Sequence, residues 1–414
     1  MPTFRHLALI VIMAFGIPAV AGAQDSSAGI ASRHLTGGTL AAGDEALEAR
    51  LAADPNDRDA HLGLGLIRFA RAVETLGQGL YRHGLRTPRN LPIPLLRMPV
   101  PLNPDPQPIS YEQARGIYSR FLADLAAVEA HLARQPAGEA KVRVDIAAIQ
   151  LDFNANGRAD PDEHLSNVLQ ALMVMQGRRG RAEAFPVAFD AADAIWLRGY
   201  THVLSAMLQF VLAHDWQDTF DATAHLFFEG ARNDRRLQQG DASPILGIGQ
   251  GGESALADTI AFLHLVRWRV VQPQRLLAAR DHLKEVVRLS RLNWAAIQAE
   301  TDDELEWVPS PRQRNAAIQA LTVTPERVAA WFQALDAFEA VLEGRKLIPH
   351  WRFSQGIDLS RIFTEPRDFD LVLWVTGHAA MPYLRDGDTL SREQWLAWQR
   401  IFGGHFLGYA IWFN

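Results

Sequence analysis

The sequence predicts an all-α protein: an irregular multi-helix body preceded by an N-terminal helical hairpin and an extended proline-rich strap. Apolar residues recur at helical spacing along most of the chain, and convincing strand patterns are scarce. Helix-start signals stand ahead of several of these runs, at Ser110, Thr324 and Ser391. With 414 residues, 48% of them hydrophobic and 21% charged, the chain can build one large helical body or two domains. It has no cysteine, so its core must hold it without disulfides. A net charge of −6 and a pI near 6.2 give no electrostatic basis for binding nucleic acid or an anionic membrane surface.

Residues 1–23 have the layout of a secretory signal peptide. Arg5 and His6 precede the short apolar run Leu7–Phe15, helix-breaking Gly16 and Pro18 follow, and Ala21-Gly22-Ala23 forms a small-residue cleavage site before Gln24. The apolar run is too short to span a bilayer comfortably, and no later segment is long and apolar enough to do so. The expectation is therefore a periplasmic or secreted protein without stable membrane insertion. Residues 24–43, small and rich in Gly and Ser, read as a flexible tail. Residues 44–87 read as a helical hairpin around Asp54-Pro55-Asn56-Asp57. That turn resembles the junction between tetratricopeptide repeats, but it does not recur at a period of about 34 residues, so one hairpin is expected and not an array.

Residues 88–109 form the strap. Its prolines at 88, 92, 94, 99, 101, 104, 106 and 108 remove backbone donors and disfavour helix, while the interleaved Leu91, Ile93, Leu95, Met98 and Val100 call for burial against the body. The body, 110–414, opens with Ser110 and Gln113 in capping-box spacing. Ala191–Ala213 is apolar on nearly every side, which places that helix in the middle of the fold. Further helices are expected near 281–299 and 325–343 and from Ser391 onward. The terminal run Phe406–Asn414 is so aromatic that it should dock in the core.

Residues 152–163, Asp-Phe-Asn-Ala-Asn-Gly-Arg-Ala-Asp-Pro-Asp-Glu, carry the clearest chemistry. Oxygen-bearing side chains stand at the first, third, fifth, ninth and twelfth places and a glycine at the sixth. This run resembles an EF-hand calcium loop. The resemblance implies Asp152, Asn154, Asn156, Asp160 and Glu163 as side-chain ligands, Arg158 as a backbone-carbonyl ligand, Gly157 at the sharp turn, and a helix on each side. Leu165–Met175 has the periodicity of the outgoing helix. The motif stands alone in the chain, and Ala159 occupies a place usually held by a bulky aliphatic residue. A lone loop with three certain carboxylates predicts weak binding, with a Kd of about 10⁻⁴ to 10⁻³ M, and a structural Ca²⁺ fixing the angle between two helices.

Other constellations are weaker. His214, Asp218, Asp221 and His225, spaced four, three and four, would share a helix stripe, with His202 as a further candidate ligand; an amphipathic helix has the same pattern on its wet face. Gly247-Ile-Gly-Gln-Gly-Gly252 has G-x-G-x-x-G spacing without a preceding strand, and so reads as a hinge loop. The acidic run Asp302–Glu306, next to Trp307, reads as a surface loop. The leading expectation is a secreted or periplasmic calcium-binding helical protein. The alternatives are a secreted helical enzyme, glycan-active or a metal-dependent hydrolase drawing on paired acids such as Asp190/Asp193, or a partner-binding helical scaffold. No catalytic residue is assigned.

Overall fold

The computed structural model describes residues 26–86, 98, 100–166, 184–231, 260, 262–318, 323–404 and 406–414. The expected leader, the strap at 88–97, the basic run 178–181, the glycine string 247–252 and all but the start of the helix after the calcium loop lie outside them.

The N-terminal unit has three helices where a hairpin was expected. α1 (Ser27–Thr36) and α2 (Leu40–Ala53) occupy much of the segment expected as a flexible tail, and α3 (Arg58–Arg82) follows. Small residues here allow close packing and do not signal mobility. A Cβ at Gly63 would overlap Ala31, and one at Gly43 would overlap His34 and Ile67. Ile30, Ala31 and Leu35 are buried accordingly. Ser26 caps α1 by accepting from the Gly29 N–H at 3.1 Å. The α2–α3 hairpin turns at Asp54–Asp57 as expected, with Asp57 capping α3 through the Ala60 N–H at 2.9 Å. Such a cap is worth about 1 kcal/mol.

α4 (Tyr111–Leu132) begins with the expected capping box, the Gln113 N–H donating to Ser110 Oγ at 3.2 Å and the Ser110 N–H to Gln113 Oε1 at 2.7 Å. It runs antiparallel to α3, as Leu132 packs on Gly65 and Ile117 on Gly79. Between 98 and 109 the described residues Met98 and Val100 pack against two core clusters, while Leu102 is exposed.

The fold is helix-rich but not purely α. β1 (Lys141–Asp145) pairs antiparallel with β2 (Pro186–Asp190), Val142 opposite Phe189 and Val144 opposite Val187. The alternation Lys-Val-Arg-Val-Asp suits a half-buried strand, and five residues are enough to carry it. Two further sheets are built from two- to four-residue strands. One joins β3 (His214–Asp215), β4 (Arg267–Val270) and β7 (Phe369–Asp370); the other joins β5 (Ile348–Pro349), β6 (Gly356–Ile357) and β8 (Leu384–Arg385).

α5 (Ala191–Ala213) matches its expected bounds and is central, packed on α3, α4 and α7 (Pro273–Ala299). Around them lie α6 (Gln217–Phe227), α8 (Pro325–Leu342), α9 (Leu359–Thr364), α10 (Leu371–Thr376), α11 (Arg392–Ile401) and α12 (Phe406–Trp412). The C-terminal residues dock as expected: Phe413 is fully buried, and its carbonyl accepts from Ser290 Oγ at 3.0 Å and Trp294 Nε1 at 3.2 Å. Among the described residues no helix is long and apolar enough to cross a membrane.

Gly77 of α3 holds a further packing constraint, because a Cβ there would overlap the ring of Phe153, the second residue of the calcium-like loop. Gly77→Ala is expected to lower stability by about 1–3 kcal/mol. Gly116→Ala in α4, where the added Cβ meets nothing within 4 Å, is expected to raise it by about 0.5–1 kcal/mol. Urea unfolding midpoints check both, and similar shifts for the two variants would mean that Phe153 does not seat on α3.

Candidate metal centres

The 152–163 loop is closed by hydrogen bonds between its own side chains and backbone. The Asn156 N–H donates to Asp152 Oδ1 at 3.0 Å and Asn154 Oδ1 at 2.9 Å, and the Gly157 N–H donates to Asp152 Oδ2 at 2.9 Å. The side-chain amides of Asn154 and Asn156 both donate to Asp160 Oδ2, at 2.9 and 2.8 Å. Those two hydrogen bonds hold the Asp160 carboxyl below its ordinary pKa. Glu163 is fully buried, its Oε1 accepting from the Asn154 N–H at 2.8 Å and its Oε2 from the Asp160 N–H at 2.7 Å. Burial pushes the Glu163 carboxyl up, these N–H groups pull it down, and the nearby Asp152 and Asp160 carboxylates push it up again. Gly157 turns at φ 87° as the spacing requires, and Ala155 also sits at φ 58°. The five side chains expected as ligands are therefore linked in one hydrogen-bond network through backbone and amide N–H groups, but Asp152, Asp160 and Glu163 do not all bring carboxylate oxygens within 4.8 Å of one another. Arg158 points outward, 3.4 Å from Asp160 and largely exposed.

The incoming flank departs from the helix–loop–helix expectation, whereas on the outgoing side helix begins at Leu165 and Ser166, the last residues described there. β1 and a 3₁₀ turn at Ile146–Ala148 lead into the loop. A 3₁₀ turn at Pro161–Glu163 ends it, and His164 is extended. The loop ends lie side by side in a short ladder, the Leu151 N–H donating to the Glu163 carbonyl at 3.3 Å and the Leu165 N–H to the Ile149 carbonyl at 2.9 Å. The α3 helix forms the other wall. Glu74 accepts from the Asp152 N–H at 2.8 Å, and Gln78 Nε2 donates to the Asp152 carbonyl at 2.8 Å. Burial pushes the Glu74 carboxyl up. A cation here would fasten a loop that is entered from a strand to α3.

A second oxygen-rich centre was not assembled from the sequence. Asp190, Glu300 and Glu306 place one carboxylate oxygen each within 4.8 Å of the others, the one such group among the described residues. Asp190 caps α5, accepting from the N–H groups of Ala192 at 2.8 Å and Asp193 at 3.2 Å, while Asp193 accepts from the Asp190 N–H at 3.1 Å. Glu300 is the residue that ends α7. Glu306 is brought in by the 302–306 run, which is fastened to the first sheet: Lys141 pairs with Asp302, Arg143 with Glu304, and the Ala188 N–H donates to the Leu305 carbonyl at 3.2 Å. Asp302 and Asp303 lie on the surface as expected, whereas Glu306 at the end of the run turns inward and is buried.

Burial dominates the electrostatics of this cluster. It pushes Glu300 up to about 8 and Glu306 up to about 7, with the Asp190 charge adding to both. Asp193 is pushed well above the carboxylate range by burial and then by Asp190. The C-terminal end of α7 adds partial negative charge at Glu300. Carboxylates so arranged hold protons at neutral pH or surround a hard cation that prefers oxygen. The individual acids were visible in sequence; their meeting depends on α5 and α7 running antiparallel.

The stripe expected at 214–225 does not assemble. His214 lies in β3, buried, with Nδ1 2.7 Å from the Phe210 carbonyl, whereas Asp218 and Asp221 are exposed on α6. His202 faces His282 instead, Nδ1 to Nδ1 at 2.7 Å, beside the Arg198–Glu129 ion pair at 2.9 Å. No protein-family model, curated protein or solved structure matches this chain.

The raised carboxyls give a signed pH dependence. Below about pH 4.5 the folded and unfolded chains both hold these protons. As pH rises toward 8 the unfolded chain loses them first, so stability falls through that window. Glu300→Gln removes one contributor, and its advantage over the parent should grow from near zero at pH 5 to about 1–3 kcal/mol at pH 8.5. Thermal melts at the two pH values check this; a pH-independent difference would overturn it.

Proposed function

We propose that this is a calcium-binding, helix-rich protein in which the ion is a structural clamp joining the 152–163 loop to α3. The observation that supports this is the linking of Asp152, Asn154, Asn156, Asp160 and Glu163 by hydrogen bonds within one loop whose sequence has the register of calcium loops. Without an ion, the amide groups of Asn154 and Asn156 and the backbone N–H groups supply the positive ends facing these carboxylates. To hold the ion, the side-chain amides of Asn154 and Asn156 would have to present oxygen in place of N–H, and Asp152, Asp160, Glu163 and the Arg158 carbonyl would supply the remaining oxygens. Affinity of about 10⁻⁴ to 10⁻³ M suits a calcium-rich compartment, in keeping with a leader at 1–23 that directs the chain to the periplasm or outside the cell. The ligand must be ionised, so binding weakens in acid as Glu163 takes up its proton.

A second reading, a metal-dependent or glycan-active enzyme, is favoured by the convergence of Asp190, Glu300 and Glu306 next to an aromatic group in which Trp307 packs 5.8 Å from Phe189 and 5.2 Å from Trp196. Asp190, Asp193 and Glu306 are more than nine-tenths buried, so a substrate would reach them only after the 302–306 run moves. The structural clamp needs no such opening and is preferred.

Calorimetric titration of chelator-treated protein with calcium chloride tests the clamp. One weak site is expected, lost in Asp152→Ala and Glu163→Gln and kept in Glu300→Gln. Calcium at a hundred times its Kd should stabilise the parent by about 2.7 kcal/mol in a thermal melt. Absence of both heat and stabilisation would remove the proposal. Loss of the heat in Glu300→Gln alone would move the ion to the buried carboxylate cluster.

A further inference from the structure

Between α3 and α4 lies an open cleft of about 370 Å³, a volume in the range of small-molecule sites, about 300–1,000 Å³. Its walls are two stripes of the same helical period. Thr75, Gln78, Gly79 and Arg82 face it from α3, and Gln113, Gly116, Ile117 and Arg120 face it from α4. Leu76 and Phe121, both buried, complete its floor.

Two features separate this cleft from an ordinary helix–helix groove. The first is glycine inside both helices, where it costs about 1 kcal/mol relative to alanine. Gly63, Gly65 and Gly77 of α3 are explained by the side chains that sit on them, but a Cβ at Gly116 would meet nothing within 4 Å. Glycine there relieves no clash and leaves the cleft wide. The second is charge. Arg82 and Arg120 are both exposed, and among the described residues neither forms an ion pair or a side-chain hydrogen bond; Asp124, one turn from Arg120, feels its charge without pairing. Most of the other arginines on these helices that face a carboxylate are engaged, as Arg68 and Arg71 are with Asp44.

The antiparallel packing puts the two guanidinium groups at opposite ends. With Gly79 opposite Ile117, Arg120 stands level with about residue 76, six residues from Arg82, or about 9 Å along the axis. We propose that this cleft binds a small, elongated polar molecule bearing an acid group at each end, carboxylate or phosphate. Arg82 and Arg120 take the two acids, since guanidinium matches either oxyanion through paired N–H donors. Gln113 and Thr75 serve the same two ends, and the body of the molecule lies across Ile117, which packs on Gly79, and the open face of Gly116. Gln78 is already fixed through its bond to the Asp152 carbonyl, so that side of the cleft is set before a ligand arrives.

Adipate and fructose 1,6-bisphosphate are the probes, with acetate and inorganic phosphate as one-ended controls, titrated calorimetrically into the full protein at low ionic strength. Saturable binding is expected for at least one two-ended probe, about tenfold or more tighter than its one-ended control; which probe wins separates carboxylate from phosphate recognition. Arg82→Gln and Arg120→Gln should each weaken it about tenfold, and Gly116→Leu, which fills the cleft from a position free of clashes, should abolish it with an unchanged or higher melting temperature. No saturable binding of either probe, equal binding of the one-ended controls, or parent-like affinity in both arginine variants would overturn the proposal.

Discussion

The antiparallel packing of α5 on α7 is the constraint around which the molecule is arranged. α5 is apolar on nearly every side, so it is stable only when other elements surround it. α7 covers one side, α3 and α4 cover others, and the C-terminal residues close over Gly199, Ser290 and Trp294. Direction matters as much as proximity. Because the two helices run opposite ways, the N-terminus of α5 meets the C-terminus of α7, and Asp190 is brought against Glu300. At the far end the Gln272 N–H donates to the Ala213 carbonyl at 3.0 Å, joining the start of α7 to the end of α5. The buried carboxylates are thus a consequence of helix direction, and their mutual repulsion is tolerated because the apolar packing around them is extensive.

The calcium-like loop depends on a different contact. Its chain enters from a strand and a 3₁₀ turn, so the incoming flank presents no helix to orient. What orients it is α3, through Glu74, Gln78 and the absence of a side chain at Gly77. A loop held this way has little freedom to open a hydrophobic face on binding an ion, which is how paired calcium switches act. A cation bound there would offset the charge of Asp152, Asp160 and buried Glu163 within this one loop.

The α3–α4 pair shows how glycine can be read only in context. Three of the four glycines within α3, Gly63, Gly65 and Gly77, admit a neighbouring side chain at close range, and the fourth, Gly79, lets Ile117 approach. Gly116, on the facing helix, admits nothing. In sequence these five positions look alike, all penalties to helix propensity; their different meanings come from what stands opposite.

Local chemistry was legible where the cause was local. The helix starts at Ser110, Asp57 and Thr324 follow from side-chain oxygens reaching N–H groups three residues on, the bounds of α5 from its unbroken apolar run, and the loop register from alternate oxygens around a glycine turn. The short strands were missed because two to five residues carry too little periodicity to outweigh their surroundings. Ser27–Thr36 was misjudged because small residues suit both a mobile tail and close helix packing, and only the presence of a partner helix separates the two. By itself the sequence determined a helix-rich protein with one oxygen-lined loop, since backbone propensity and ligand spacing act over a few residues. Tertiary structure alone decided that the loop is braced by α3, that the 214–225 stripe disperses, and that Asp190, Glu300 and Glu306 share one buried space, because each of these depends on which distant surfaces the apolar helices bring together.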